Sequence, residues 1–147
     1  MSAIPHTGSL ARWRLEDDAL RVGLGLLGAS SAGLAIFMAA APHAFFTSIG
    51  PFGAANAHYI RDTATFYAAF AVGQTIAIRR VAWRVPVLAL TVVQYGLHTI
   101  NHLLDIEKAH PAWTGYFDFF SLLGGTLLIA WLLRAALRRQ PAQRLRT

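Results

Sequence analysis

The sequence predicts an all-α integral membrane protein, a four-helix bundle with both termini in the cytoplasm, and three observations predict it. First, 55% of the 147 residues are apolar and only 14% are charged, whereas soluble domains average about 25% charged residues. Second, four windows reach the roughly 20 apolar residues that cross a bilayer core. Third, most Lys and Arg residues lie on one side of these windows, as in the cytoplasmic segments of membrane proteins. The lipid bilayer is therefore the first partner expected.

The four predicted spans cover, in chain order, about residues 20–41, 57–78, 83–104 and 113–133. The first span ends in small residues like a signal peptide. However, three acidic residues precede it, and its apolar run is longer than a signal-peptide core. The basic segment after the last span, residues 134–147, is predicted to be a flexible tail. The whole chain, residues 1–147, is thus predicted to form a single transmembrane domain.

The distribution of basic residues predicts the orientation. Of the 13 Lys and Arg residues, only Arg61 and Lys108 lie on the non-cytoplasmic side of the predicted spans, so the positive-inside rule places both termini in the cytoplasm. The net charge is +6, but the basic residues flank apolar segments and form no nucleic-acid-binding motif, so no nucleic-acid partner is predicted. The chain has no cysteine, which excludes disulfides, thiolate metal sites and thiol-based redox chemistry.

The first span carries small residues at intervals of four, namely Gly25, Ala29 and Gly33. Such a ridge lets another helix approach closely. The sequence favours packing within the bundle as its role, with a homo-oligomer contact through the same three residues as the alternative.

Polar stripes mark the non-cytoplasmic ends of the spans. The stripe of the third span, which falls within a sector about 100° wide on an α-helix, consists of His98, Asn101, His102 and Asp105. The second span begins with a similar stripe of His58, Arg61 and Asp62, and the fourth adds Asp118. Because ionisable groups are costly to place in lipid, they should face the bundle interior. The sequence therefore predicts one outward-opening pocket lined by all eight residues, with the loop 42–56 as its cap.

A non-catalytic module is the leading functional interpretation of this pocket. It would bind a small polar ligand, a lipid headgroup or a partner protein, with Arg61 as the anchor for an anion. The other ligand-binding candidates are Asp62, Asn101, Asp105 and Asp118. The same polar groups would also serve a purely structural network in which they pair with one another.

The competing interpretation is a metal- or haem-dependent membrane enzyme or electron carrier. His98 and His102 are spaced i, i+4, as in zinc-binding helices, and His58 would supply a third ligand. A b-type haem between His58 and a histidine of the third span is a further alternative. No activated-serine motif accompanies these residues, and the sequence identifies no catalytic residue.

The segments NAHYIRDTATFYAAFAV, RVPVLAL and HTINHLLDIEKAHP resemble a family of small, uncharacterised, mostly actinobacterial membrane proteins with four spans, similar in architecture to DoxX-type proteins. The resemblance covers about residues 20–135. It implies four helices and a multi-pass location in the bacterial inner membrane. It implies no particular activity, because a shared architecture does not define a function.

Overall fold

The computed structural model describes residues 7–144, and the side-chain surroundings of residues 14–139. Five helices form this part of the chain: α1 (Thr7–Ala40), α2 (Pro42–Ser48), α3 (Ala57–Arg79), α4 (Val81–Leu104) and α5 (Ala112–Arg144). The all-α prediction is confirmed. The four long helices overlap the four predicted spans, and the short helix α2 lies within the segment that the sequence predicts as a loop.

Local sequence explains two of the helix starts. α2 begins with Pro42, whose fixed φ and missing N–H suit the first helical position. α3 is capped by Asn56, whose side-chain oxygen accepts hydrogen bonds from the backbone N–H groups of His58 (3.1 Å) and Tyr59 (3.3 Å). These two starts fix where the chain leaves α1 and where it re-enters the bundle.

The four long helices form a ring in the order α1, α3, α4, α5. The most extensive packing joins α1 to α3 and α4 to α5, with smaller contacts between α3 and α4 and between α5 and α1. Consecutive long helices run antiparallel, so each end of the bundle collects matching termini. The end that holds the starts of α1 and α4 and the ends of α3 and α5 is called the arginine end, and the opposite end is called the histidine end.

The best-packed part of the interior lies toward the arginine end. Its buried cluster draws on all four long helices and consists of Leu20, Leu24, Ala77, Val87, Leu88, Ile129, Leu132 and Ala136. Much of the outer surface is apolar as well, with large side chains such as Leu26, Ile36, Phe66 and Leu127 each more than 60% exposed. An apolar exterior of this kind is what a lipid-facing bundle presents.

Two of the helices are long and apolar enough to cross a membrane, α1 over Arg14–Ala40 and α5 over Ala112–Arg139. α3 and α4 are not in this group, because the polar stripes near their ends and the buried polar groups within them lower their hydropathy. By length and composition, two helices in the described part of the chain could therefore cross a membrane.

Residues 134–144, which the sequence predicts to be part of a flexible tail, continue α5 as a helix. This segment begins with Ala, Leu and Arg, all strong helix formers. Arg139 within it is buried against the start of α1. Residues 145–147 lie outside the described part of the chain.

Of the three residues of the small-residue ridge, Gly25 lies against a neighbouring helix, where an added Cβ atom would be 3.9 Å from the side chain of Ile78, but the other two do not. A Cβ atom added at Gly33 would have no neighbour within 4 Å, and Ala29 is exposed. α1 approaches its neighbours closely at other glycines: a Cβ atom on Gly28 would lie 3.2 Å from the hydroxyl of Thr75, and one on Gly23 would overlap Leu132. The ridge residues Ala29 and Gly33 therefore lie on the outer surface of the bundle.

Candidate functional site

A cavity of about 520 Å³ opens at the histidine end of the bundle. Every helix contributes to its wall, and so does the segment that follows α2. The lining residues are Leu34, Met38, Phe45, Ile49, Gly50, Phe52, Tyr59, Ile60, Thr63, Tyr67, Tyr95, His98, His102, Asp118, Ser121 and Leu122. Pockets of roughly 300–1,000 Å³ with mostly apolar walls are typical of small-molecule sites, so the cavity has the size and lining of such a site.

α2 and the segment after it cover part of the cavity. The ring of Phe45 packs edge-on against Phe37 of α1, with centroids 5.8 Å apart. Phe52 packs in the same manner against the ring of His102, at 4.9 Å, and pairs through its backbone with Ala109 of the α4–α5 connection. These contacts attach the covering segment to both sides of the bundle.

Polar groups of α4 and α5 line one side of the cavity. His98 and His102 lie one turn apart on α4 with ring centroids separated by 4.7 Å, and Asp118 and Ser121 lie three residues apart on α5. The Nδ1 atom of His102 and the Oδ2 atom of Asp118 are buried without a hydrogen-bond partner among the described residues. Leaving a buried polar atom unpaired costs about 1–3 kcal/mol. A bound molecule that pairs with both atoms would recover that cost.

The structure leaves the stripe at the start of α3 outside the cavity. His58 and Asp62 face each other at 3.4 Å, with side chains 79% and 57% exposed. Arg61 is also exposed, and its Nε atom donates to the backbone oxygen of Ala39 at 3.4 Å. α3 instead turns the face that carries Tyr59, Ile60, Thr63 and Tyr67 toward the cavity.

Two residues of α4 that were predicted to line the pocket also lie outside the cavity. Asn101 is exposed, and Asp105 forms an ion pair with Lys108 at 2.7 Å in the following turn. The prediction that all eight polar residues line one pocket is therefore wrong for His58, Arg61, Asp62, Asn101 and Asp105. Three of the eight, His98, His102 and Asp118, share the cavity.

The predicted ligand set for a metal or a haem is not assembled. Only His98 and His102 share the cavity, whereas His58 lies on an exposed face of α3. Within the described residues there is no group of three or more His, Cys, Asp or Glu side chains arranged to hold a metal ion. In this structure His58 lies apart from His98 and His102, and the metal or haem interpretation stays a prediction.

A buried chain of hydrogen bonds lies one layer below the cavity. The hydroxyl of Ser31 donates to Gln74 at 2.9 Å. The amide of Gln74 donates to the hydroxyl of Thr91 at 3.3 Å, and Thr91 donates in turn to the backbone oxygen of Val87 at 2.8 Å. This chain joins α1, α3 and α4. The one signal for it in the sequence is Gln74, a polar residue inside an apolar window.

The arginine end is closed by a charged cluster that the sequence analysis missed. The carboxylate of Asp17 contacts Arg84 at 2.6 Å, Arg21 at 2.7 Å and Arg139 at 3.1 Å. The Arg84 side chain is only 3% exposed and also donates to the backbone oxygens of Ala77 and Ile78. The sequence indicated these arginines only as markers of orientation. The i, i+4 spacing of Asp17 and Arg21 is a local signal for that contact, but nothing in the sequence pairs Asp17 with Arg84 or Arg139, about 70 and 120 residues away.

Comparison of the chain with protein-family models, curated proteins and solved structures finds no match. The resemblance to DoxX-like membrane proteins therefore stays a prediction, and the site has to be interpreted from its own geometry.

Proposed function

We propose that this protein is a membrane-embedded binding module that holds a small, largely apolar organic molecule in the cavity at the histidine end. The observation that carries the proposal is the combination of an aromatic and aliphatic wall with two buried, unpartnered polar atoms, His102 Nδ1 and Asp118 Oδ2. Binding sites for small molecules typically combine a largely apolar lining with a few converging polar groups that fix the orientation of the ligand. The cavity has both parts.

The proposal replaces Arg61 as the principal ligand anchor. Arg61 lies outside the cavity and interacts with the end of α1. The polar contacts of a ligand would come from α4 and α5, where His98, His102 and Asp118 line the wall. An anion is accordingly no longer the preferred ligand.

The proposed topology is four spans in a bacterial inner membrane, with both termini and the arginine end in the cytoplasm. α3 has 23 residues and α4 has 24, and at 1.5 Å per residue each is about 35 Å long, enough to cross a hydrocarbon core of about 30 Å. Helices that are amphipathic can span a bilayer when their polar face is buried in the protein. The cavity would then open toward the outer side of the membrane.

Binding is tested by titrating 4-phenylbutan-1-ol into the protein in mild detergent by calorimetry, with detergent alone as the blank. We expect saturable binding to the native chain. In Leu122→Trp, a larger side chain would fill the cavity that Leu122 lines, and we expect binding to fall at least tenfold.

The matched control is Leu128→Trp, because Leu128 lies on the same helix but is 57% exposed on the outer surface. This variant should bind as the native chain does. Equal binding to both tryptophan variants, or no saturable binding to the native chain by this alcohol or by its amine and acid analogues, would overturn the proposed function. Thermal unfolding of each variant shows whether it is folded.

The orientation is tested with single cysteines, since the native chain has none. A membrane-impermeant maleimide added to intact cells should label Glu107→Cys, at the histidine end, and should label Arg80→Cys, at the arginine end, only after the membrane is permeabilised. Labelling in the reverse pattern would contradict the proposed orientation.

A further inference from the structure

Among the described residues, the cavity wall contains a carboxylate but no lysine or arginine side chain. The only carboxylate among these lining residues is that of Asp118. Within the described part of the chain neither Asp118 Oδ2 nor His102 Nδ1 has a hydrogen-bond partner, so the two atoms do not bond to each other. An ionised carboxylate accepts hydrogen bonds and cannot donate them. The unprotonated nitrogen of a neutral imidazole is likewise an acceptor. With the proton of His102 on Nε2, both unpartnered atoms are acceptors, and a ligand that brings its own donor would pair with them.

The walls around these acceptors favour a cation over a neutral donor. Three tyrosines and two phenylalanines line the same cavity, namely Tyr59, Tyr67, Tyr95, Phe45 and Phe52. The faces of aromatic rings attract a cation by about 0.5–2 kcal/mol when the site is partly dehydrated. A charge-assisted hydrogen bond to a carboxylate is also about twice as strong as a neutral one. An anion, by contrast, would be repelled by the Asp118 carboxylate and would find no lysine or arginine among the lining residues.

We infer that the ligand of this cavity is an amine, a molecule with an apolar body and an ammonium group that donates to Asp118 Oδ2 and to His102 Nδ1. The inference rests on the proposed function and specifies its ligand class. The apolar body would lie toward Phe45 and Tyr59, and the ammonium group would lie on the side of α4 and α5, near Phe52, whose ring packs against His102. A free amine and the amino group of a phosphatidylethanolamine headgroup share this chemistry.

Three probes with the same apolar body test the inference on the native protein: 4-phenylbutylamine, 4-phenylbutan-1-ol and 4-phenylbutyric acid. Calorimetry in mild detergent should show the amine binding at least tenfold more tightly than the alcohol, with the acid weakest. Alcohol binding as tight as amine binding, or tightest binding of the acid, would overturn the inference and leave the proposed function standing. Failure of all three probes to bind would overturn both.

Removal of the carboxylate tests its role. In Asp118→Asn the affinity for the amine should fall at least tenfold, to the level of the alcohol, while the affinity for the alcohol stays within about threefold. The matched control is Glu107→Gln, which removes a negative charge from an exposed position at the same end of the bundle and should leave both affinities unchanged. A folded Asp118→Asn protein that keeps its preference for the amine would contradict the inference.

The source of the amine is tested in lipid nanodiscs. Weaker binding of 4-phenylbutylamine in phosphatidylethanolamine discs than in phosphatidylcholine discs, whose headgroup carries no N–H, would support the inference with the lipid as the occupant. Equal binding in both discs, with the amine still preferred over the alcohol, would support it with a free amine as the ligand.

Discussion

The two ends of the bundle treat their polar groups in opposite ways. At the arginine end, Asp17 is surrounded by three guanidinium groups, and Arg84 also binds two backbone oxygens. At the histidine end, Asp118 and His102 each keep a buried atom that no described residue pairs with, beside a cavity of about 520 Å³. Polar residues at the arginine end thus bind the helices to one another, whereas those at the histidine end are left available to pair with a ligand.

The hydrogen-bond chain through Ser31, Gln74 and Thr91 marks the boundary between the two ends. Toward the arginine end, the interior is filled by the apolar cluster that includes Leu24 and Leu88. Toward the histidine end, the helices enclose the cavity instead. A satisfied polar network rigidifies its surroundings. The packed interior at the arginine end therefore holds the helices in place around the cavity at the histidine end.

The largest expected effect is at the arginine end. Asp17→Ala would leave Arg84 buried with its principal charge partner removed, and breaking a buried ion pair typically costs about 3–5 kcal/mol. We expect a loss of about 3 kcal/mol in the free energy of unfolding, measured by titrating the protein in mild detergent with a denaturing detergent. The neighbouring Asp18→Ala is the control, because Asp18 is exposed and should cost less than about 0.5 kcal/mol. Equal losses for the two variants would contradict a clamp at Asp17.

A smaller loss is expected at the boundary. Gln74→Leu would keep the volume of the side chain but remove the hydrogen bonds to Ser31 and Thr91, at a cost of about 1 kcal/mol in the free energy of unfolding. Thr75→Val serves as the comparison, since Thr75 bonds only to the backbone of its own helix at Ala71, and it should be nearly neutral. If Gln74→Leu were stabilising, the polar chain would not hold the halves together.

At the histidine end, removal of a polar side chain should raise the free energy of unfolding, whereas at the arginine end it should lower it. Asp118→Leu would replace an unpartnered carboxylate by an apolar side chain, so without ligand we expect a gain of about 0.5–1 kcal/mol in the free energy of unfolding. Binding of 4-phenylbutylamine should be lost in the same variant. A clear destabilisation would mean that Asp118 has a structural partner and would remove the contrast between the two ends.

The smallest effect is expected for the exposed ion pair on α3. Asp62→Ala removes the contact with His58, but both side chains are largely exposed, and exposed pairs contribute about 0–1 kcal/mol. We expect a change below about 0.5 kcal/mol and unchanged affinity for 4-phenylbutan-1-ol. A tenfold loss of affinity would place this stripe in the binding site after all.

Much of the helical architecture could be predicted from the sequence, because apolar windows of about 20 residues are a strong local signal. The candidate site was predictable only in part. The i, i+4 spacing correctly placed His98 and His102 on one face, and their rings lie 4.7 Å apart. The stripe of His58, Arg61 and Asp62 has the same periodicity but lies on the outside of α3, where Asp62 and His58 interact with each other. Periodicity shows which residues share one face of a helix, but it does not define whether that face is turned toward the cavity or toward the outer surface.

The sequence by itself determined the long helices, the accumulation of arginines at one end of the bundle and the placement of histidines at the other. These features depend on hydropathy and on order along the chain, which are local properties. Only the tertiary structure decided that Tyr59 and Thr63 face the cavity in place of Arg61, and that Asp17 meets Arg84. The physical reason is that the rotation of each helix about its axis is set by packing against its neighbours. α1 lies against α3 at Gly28 and against α5 at Gly23, contacts between residues far apart in the chain.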